Sequence, residues 1–176
     1  MVRFNCLTLF SLLAATTAFA VKTPVYLIRH GEKPDDGGNG LSAQGEDRAQ
    51  CLRSVFGASS KYNIGLIMAQ DYKSNGKRRR PYDTVTPLAS DLGLTVDHHC
   101  DRDDADCVHD TIKSFGDNGG QGSVLVCWEH DALSDISKAL GDEFDYPDDV
   151  YNLIYEIVDK QLTTDSPYSE ECPGLD

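Results

Sequence analysis

Positions 23–34 read TPVYLIRHGEKP, and no other stretch limits the possible folds so sharply. Val25, Tyr26, Leu27 and Ile28 form a continuous apolar run that leads directly into Arg29-His30-Gly31. A short run of β-branched and aromatic residues without polar alternation reads as a strand buried on both faces. Open α/β sheets gather their chemistry at the C-terminal ends of such strands. This strand would deliver a cation, an imidazole and a glycine there. A neutral imidazole can attack an electrophile, a guanidinium can hold a phosphate through two parallel hydrogen bonds, and glycine lets the backbone turn sharply beside a ligand.

Further along the chain, apolar runs alternate with helical patterns, the signature of an α/β domain. Strands are expected at 25–28, 64–69, 94–97, 124–128 and 153–158, with helices at 42–55, 81–92, 103–115 and 133–140. Ser42 suits an N-cap and Pro81 a first helical turn, whereas Pro87 is expected to kink or shorten its helix. GDNGGQG at 116–122 has no Gly-Lys-Ser/Thr and precedes a strand, so it is not a phosphate-cradling P-loop. With 176 residues and no long linker between its elements, the chain should form one domain.

Three segments extend the first motif. LSAQGEDRAQCL occupies 41–52, RPYDTVTPLASDLGL occupies 80–94, and SVLVCWEHDAL occupies 123–133. Together with Arg29-His30-Gly31 and in the same order, they resemble the histidine phosphatase superfamily, also called phosphoglycerate-mutase-like, over about residues 24–140. The resemblance covers the first helix with its Leu-Ser/Thr-x-x-Gly start, the central Arg-x-x-x-Thr helix, and the late strand that ends in a second histidine. It implies a single three-layer α/β/α domain with a mostly parallel sheet and no large cap. The activity it implies is hydrolysis of phosphate monoesters through a phosphohistidine, without a metal or other cofactor. The substrate would be a phosphorylated small molecule or a phosphoprotein. A secreted, non-catalytic relative that binds a phosphorylated ligand or a protein partner is the competing reading.

On this resemblance His30 is the nucleophile, Arg29 and Arg80 clamp the phosphate, and His130 stabilises the transferring oxygens. Arg80 ends the basic run Lys77-Arg78-Arg79-Arg80, and it stands four residues before Thr84; Arg79 is the alternative. Gly76 stands where the family often has the serine of a Ser-x-x-x-Arg pattern. For the proton donor to the leaving group Asp131 is favoured, with Asp101, Asp103 and Asp104 as alternatives. Glu32 and Glu129 flank the two histidine elements and could orient the arginines. Trp128 and the tyrosines of 151–155 read as core or sheet-edge aromatics.

The first twenty residues, MVRFNCLTLFSLLAATTAFA, carry a basic start at Arg3, an apolar run from Leu7 and the small-x-small site Ala18-Phe19-Ala20. They read as a secretory signal peptide at 1–20, leaving a domain at 21–176 in the extracellular space, not anchored in a membrane. The formal net charge of −13 becomes one more negative when Arg3 leaves, which disfavours nucleic acid and anionic membranes as partners. Of six cysteines, Cys6 falls in the leader, so an odd number remains. Export makes disulfides expected. Cys100 with Cys107 is the favoured pair, Cys51 with Cys172 the second, and Cys127 a buried thiol inside its strand. His98-His99-Cys100 and the aspartates that follow lack the glycine and distal glutamate of a calcium loop, so a disulfide-closed acidic loop is expected instead of a metal site. The chain has no Asn-x-Ser/Thr site for N-glycosylation.

Overall fold

The computed structural model describes residues 23–175; the expected leader lies outside them. In chain order the elements are β1 (Val25–Arg29), α1 (Ala43–Val55), β2 (Ile64–Ala69), α2 (Arg80–Leu92), β3 (Val96–Asp97), α3 (Ala105–Asp117), β4 (Ser123–Trp128), α4 (His130–Leu140), β5 (Leu153–Val158), β6 (Gln161–Leu162) and β7 (Tyr168–Ser169). The sheet runs β3-β2-β4-β1-β5-β6, with β7 also paired to β5. β3, β2, β4 and β1 are mutually parallel, and β5 joins β1 antiparallel.

Every residue of β1 and β4 is buried, as the unbroken apolar runs require. Strand side chains alternate between faces, and the core splits accordingly. Val25 and Leu27 pack with Val124, Val126, Trp128, Leu133 and Ile136 beneath α3 and α4. Tyr26 and Ile28 pack with Leu52, Phe56, Val85, Leu88 and Leu125 beneath α1 and α2. The result is the three-layer α/β/α arrangement expected from the sequence.

Local chemistry explains where the helices begin. The Ser42 side chain caps α1 by accepting from the Gly45 amide at 3.1 Å, and Asp104 does the same for α3 through Cys107. Pro87 does not end its helix: α2 continues to Leu92. The ring removes one backbone hydrogen bond, but Val85, Leu88 and Ala89 on either side are buried and hold the helix to the sheet. α4 begins three residues earlier than its apolar pattern, at His130, which places that histidine in the first turn.

Two disulfides join Cys51 to Cys172 and Cys100 to Cys107, and Cys127 is a buried free thiol. Burial pushes the Cys127 thiol well above its ordinary pKa, so it is a packing residue and not a nucleophile. Cross-links act mainly on the unfolded chain and more strongly the longer the loop they close. The Cys51–Cys172 bridge therefore contributes about 5 kcal/mol and the Cys100–Cys107 bridge about 2.5 kcal/mol in the chain-entropy picture. No helix among the described residues is long and apolar enough to cross a membrane.

Candidate active site

β1 and β4 lie side by side in parallel, with Arg29 opposite Trp128. The His30 amide extends this ladder by donating to the Trp128 carbonyl at 3.1 Å. The two histidine-bearing ends, His30 and the Glu129-His130 start of α4, therefore emerge from neighbouring strands at the same edge of the sheet.

His30 is buried to 2 % exposure. Its Nδ1 lies 2.6 Å from the Gly31 carbonyl. A carbonyl can only accept, so Nδ1 carries the proton and Nε2 presents a lone pair. Burial is the largest influence on the ring; the Gly31 carbonyl opposes it, and the charges of Arg29, Lys33 and Arg80 reinforce it. The balance holds the His30 pKa at about 3. Nuclear magnetic resonance of the ring nitrogens should show His30 neutral and Nδ1-protonated from pH 7 down to pH ~4. A titration midpoint near the free imidazole value of about 6.5 would contradict this. Because the folded value lies below the unfolded one, this histidine's contribution to stability is complete above about pH 6.5 and is lost as the pH falls toward 3.

The glycine after His30 is demanded by contact. A Cβ on Gly31 would sit 2.9 Å from the Gly45 carbonyl oxygen, and one on Gly45 would sit 2.7 Å from the Glu32 carbonyl oxygen. The two glycines let the turn after β1 rest directly on the first turn of α1. The Gly31 amide donates to Thr84 Oγ1 at 2.9 Å, and that hydroxyl donates to the Arg80 carbonyl at 2.8 Å. The Arg-x-x-x-Thr spacing is thus one helical turn that ties the start of α2 to the turn after His30. From that turn Arg80 donates through Nε to the Gly40 carbonyl at 3.0 Å and through Nη2 to the Gly38 carbonyl at 2.6 Å. Arg79, the alternative, instead pairs with Asp83 at 2.8 Å on an exposed face.

Arg29 is equally buried. Its Nη1 donates to three carbonyls of the loop between α4 and β5: Pro147 at 3.3 Å, Asp148, and Val150 at 2.9 Å. The Tyr151 ring packs on the guanidinium, 3.9 Å from ring centroid to Cζ, and lies 6.1 Å from the His30 ring. The Nε of Arg29 is buried without a hydrogen-bond partner. So is Nδ1 of His130, whose Nε2 lies 3.1 Å from Asp131 and 3.2 Å from Asp148. Buried orphan donors are rare in folded proteins. Arg29 Nε is such a donor at the end of β1; on His130 the carboxylates take the Nε2 proton, so the unpartnered Nδ1 donates only when the ring is protonated on both nitrogens.

The other acids are occupied elsewhere. Asp101 pairs with Arg78 at 2.8 Å, Asp103 with Arg102 at 2.6 Å, and Asp104 caps α3. Glu32 and Glu129 do orient arginines, but Arg48 and Arg102 and not Arg29 and Arg80. Burial raises the Glu129 pKa, yet the hydrogen bond and charge of Arg102 outweigh it and hold the carboxyl below its usual range. Among the described residues, two groups bring three potential metal ligands together. One is His99, Cys100 and Cys107, whose sulfurs are bridged; the other is His130, Asp131 and Asp148.

The sequence matches no family model and no curated protein. Solved structures do match. The protein histidine phosphatase SixA complexed with tungstate is similar over 84% of this chain and 97% of that one, with TM-score 0.62 and 16% identity. The fold is that of the histidine phosphatases. Mycobacterial hydrolase 2 is similar over 88% of this chain and 85% of that one (TM-score 0.54, 17% identity). Phosphoserine phosphatase from Entamoeba histolytica, solved with 3-phosphoglyceric acid, is similar over 81% and 97% (TM-score 0.51, 12% identity).

Two residues of this histidine phosphatase fold had no sequence signal. Tyr151 reads as a core or sheet-edge aromatic, yet it lies before β5 and faces the Arg29 guanidinium. Asp148 sits in a loop without a motif, and only the path of that loop over Arg29 brings it to His130. Trp128 and Tyr155 are core residues, as expected.

Proposed function

We propose that this chain hydrolyses phosphate monoesters through a phosphohistidine on His30. The observation that carries the reading is the state of His30: buried, neutral and held in the Nδ1–H tautomer by the Gly31 carbonyl. Nε2 attacks phosphorus as the ester P–O bond breaks. Asp131 gives its proton to the departing oxygen, and water then cleaves the N–P bond, passing a proton to the Asp131 carboxylate, which releases phosphate and restores both residues. Phosphoryl transfer needs little from a protein beyond positioning and positive charge around the equatorial oxygens. Arg29, Arg80 and, with the His130 ring protonated on both nitrogens, its unpartnered Nδ1 would meet them. Guanidinium groups serve this purpose as planar, permanently charged donors.

The substrate is a phosphorylated small molecule or phosphoprotein, and the reaction needs no metal. Hydrolysis of an aryl phosphate should survive a chelator and be blocked by vanadate, which adopts the five-coordinate geometry of the transferring group. Loss of activity on chelation, restored by zinc, would instead make His130, Asp131 and Asp148 a metal centre.

We also propose that the protein is exported, with residues 21–176 as the mature domain. The two disulfides support this, since such bridges persist in oxidising compartments. Sequencing the N-terminus of the product in the medium should give Val21; Met1 there would refute the cleavage.

A further inference from the structure

Arg48 projects from α1 and is 1% exposed. It grips Glu32 through Nε at 3.1 Å to both carboxylate oxygens and through Nη2 at 2.7 Å. Its remaining donors reach the C-terminal tail: Nη1 to Glu170 at 2.6 Å and Nη2 to the Leu175 carbonyl at 2.8 Å. The tail is tied to the same helix by Cys51–Cys172. A buried cation between two carboxylates is a poor source of stability, because removing three charges from water offsets their attraction. What it can supply is a fixed geometry.

The geometry it fixes leads to His30. Glu32 follows Gly31, whose carbonyl sets the His30 tautomer. The Gly31–Glu32 segment is held at its start by Thr84, at the Glu32 carbonyl by the Ser42 amide at 2.9 Å, and at the Glu32 side chain by Arg48. Arg48 is the one of these three holds that reaches the tail.

We propose that Arg48 is a positioning residue for His30, transmitting the placement of the C-terminal tail through Glu32 to the Gly31 carbonyl that aims the nucleophile. The role of His30 in this rests on the phosphatase reading; the mechanical coupling does not.

Glu170→Gln keeps the shape of the network and removes one charge, and Arg48→Lys removes the fork that spans both carboxylates. Assayed well below their melting temperatures, both should lower kcat for an aryl phosphate by roughly 10-fold, with KM within about 2-fold. The Nδ1–H proton resonance of His30 should shift in the same variants, since it reports the bond to Gly31 directly. Should Arg48→Lys not fold, Glu170→Gln decides. Unchanged kcat and an unchanged resonance, whatever the melting temperature, would reduce Arg48 to a structural ion pair and overturn the proposal. If the unaltered protein hydrolyses no phosphate ester, the phosphatase reading fails, and the resonance alone decides the coupling: a shift upholds it and no shift overturns it.

Discussion

Replacing His30 with alanine should abolish turnover of every phosphate ester, lowering kcat by about 10⁴-fold or more. The expectation comes from what no other described side chain offers: a buried imidazole whose Nε2 lone pair is exposed to reaction by a locked tautomer. In His130 the Nε2 faces the carboxylates of Asp131 and Asp148 instead. The variant should retain vanadate binding, weakened but measurable, through Arg29 and Arg80, which separates loss of the nucleophile from loss of the fold. Residual turnover within about 10-fold of the unaltered protein would remove His30 from the nucleophile role.

Asp131→Ala should divide substrates by leaving group. An aryl oxygen departs with little help, whereas an alkyl alkoxide requires a proton in the transition state. Alkyl phosphates should therefore slow by roughly 10²-fold or more and aryl phosphates far less. The structure makes this variant informative, because Asp148 also lies 3.2 Å from His130 Nε2 and keeps that ring in place when Asp131 is gone. Asp131 itself is 65% exposed, open to an incoming ester. Equal slowing of both classes would assign Asp131 to holding His130 and move the proton donor elsewhere.

How much of this was legible in the sequence depended on whether local chemistry or distant packing set each position. The runs at β1 and β4 announced themselves because a strand buried on both faces cannot contain polar residues until it ends, and each ends on its histidine element. Arg80 could be distinguished from Arg79 by a spacing, and the spacing turns out to be a physical object, one helical turn closed by the Thr84 hydroxyl. Gly45 in the helix start was legible through the resemblance, and the structure gives its reason: a side chain there would meet the Glu32 backbone. Both disulfides and the buried Cys127 agree with the expected pairing. Pro87 did not shorten its helix, which runs to Leu92 as its pattern required.

Asp148, Tyr151 and the Glu170 contact of the tail were not legible for a different reason. Each reaches the site through a long-range contact: Arg29 with a carbonyl 121 residues on, Arg48 with Glu170. The donors are obvious in the sequence, but their partners are mostly backbone carbonyls, which carry no residue identity. Glu32 and Glu129 show the same limit. That each would hold an arginine followed from their positions; which arginine depended on how α1 and the disulfide loop pack against the sheet.

The central claim is covalent catalysis by His30, and rapid quenching tests it directly. The unaltered protein, mixed with a ³²P-labelled phosphate ester and quenched in alkali, should retain label in a form stable to base and labile to acid, as a phosphoramidate is. Peptide mapping should place it on the peptide containing Arg29-His30-Gly31. Turnover without trapped label under single-turnover conditions, or label on another residue, would contradict a phosphohistidine at His30.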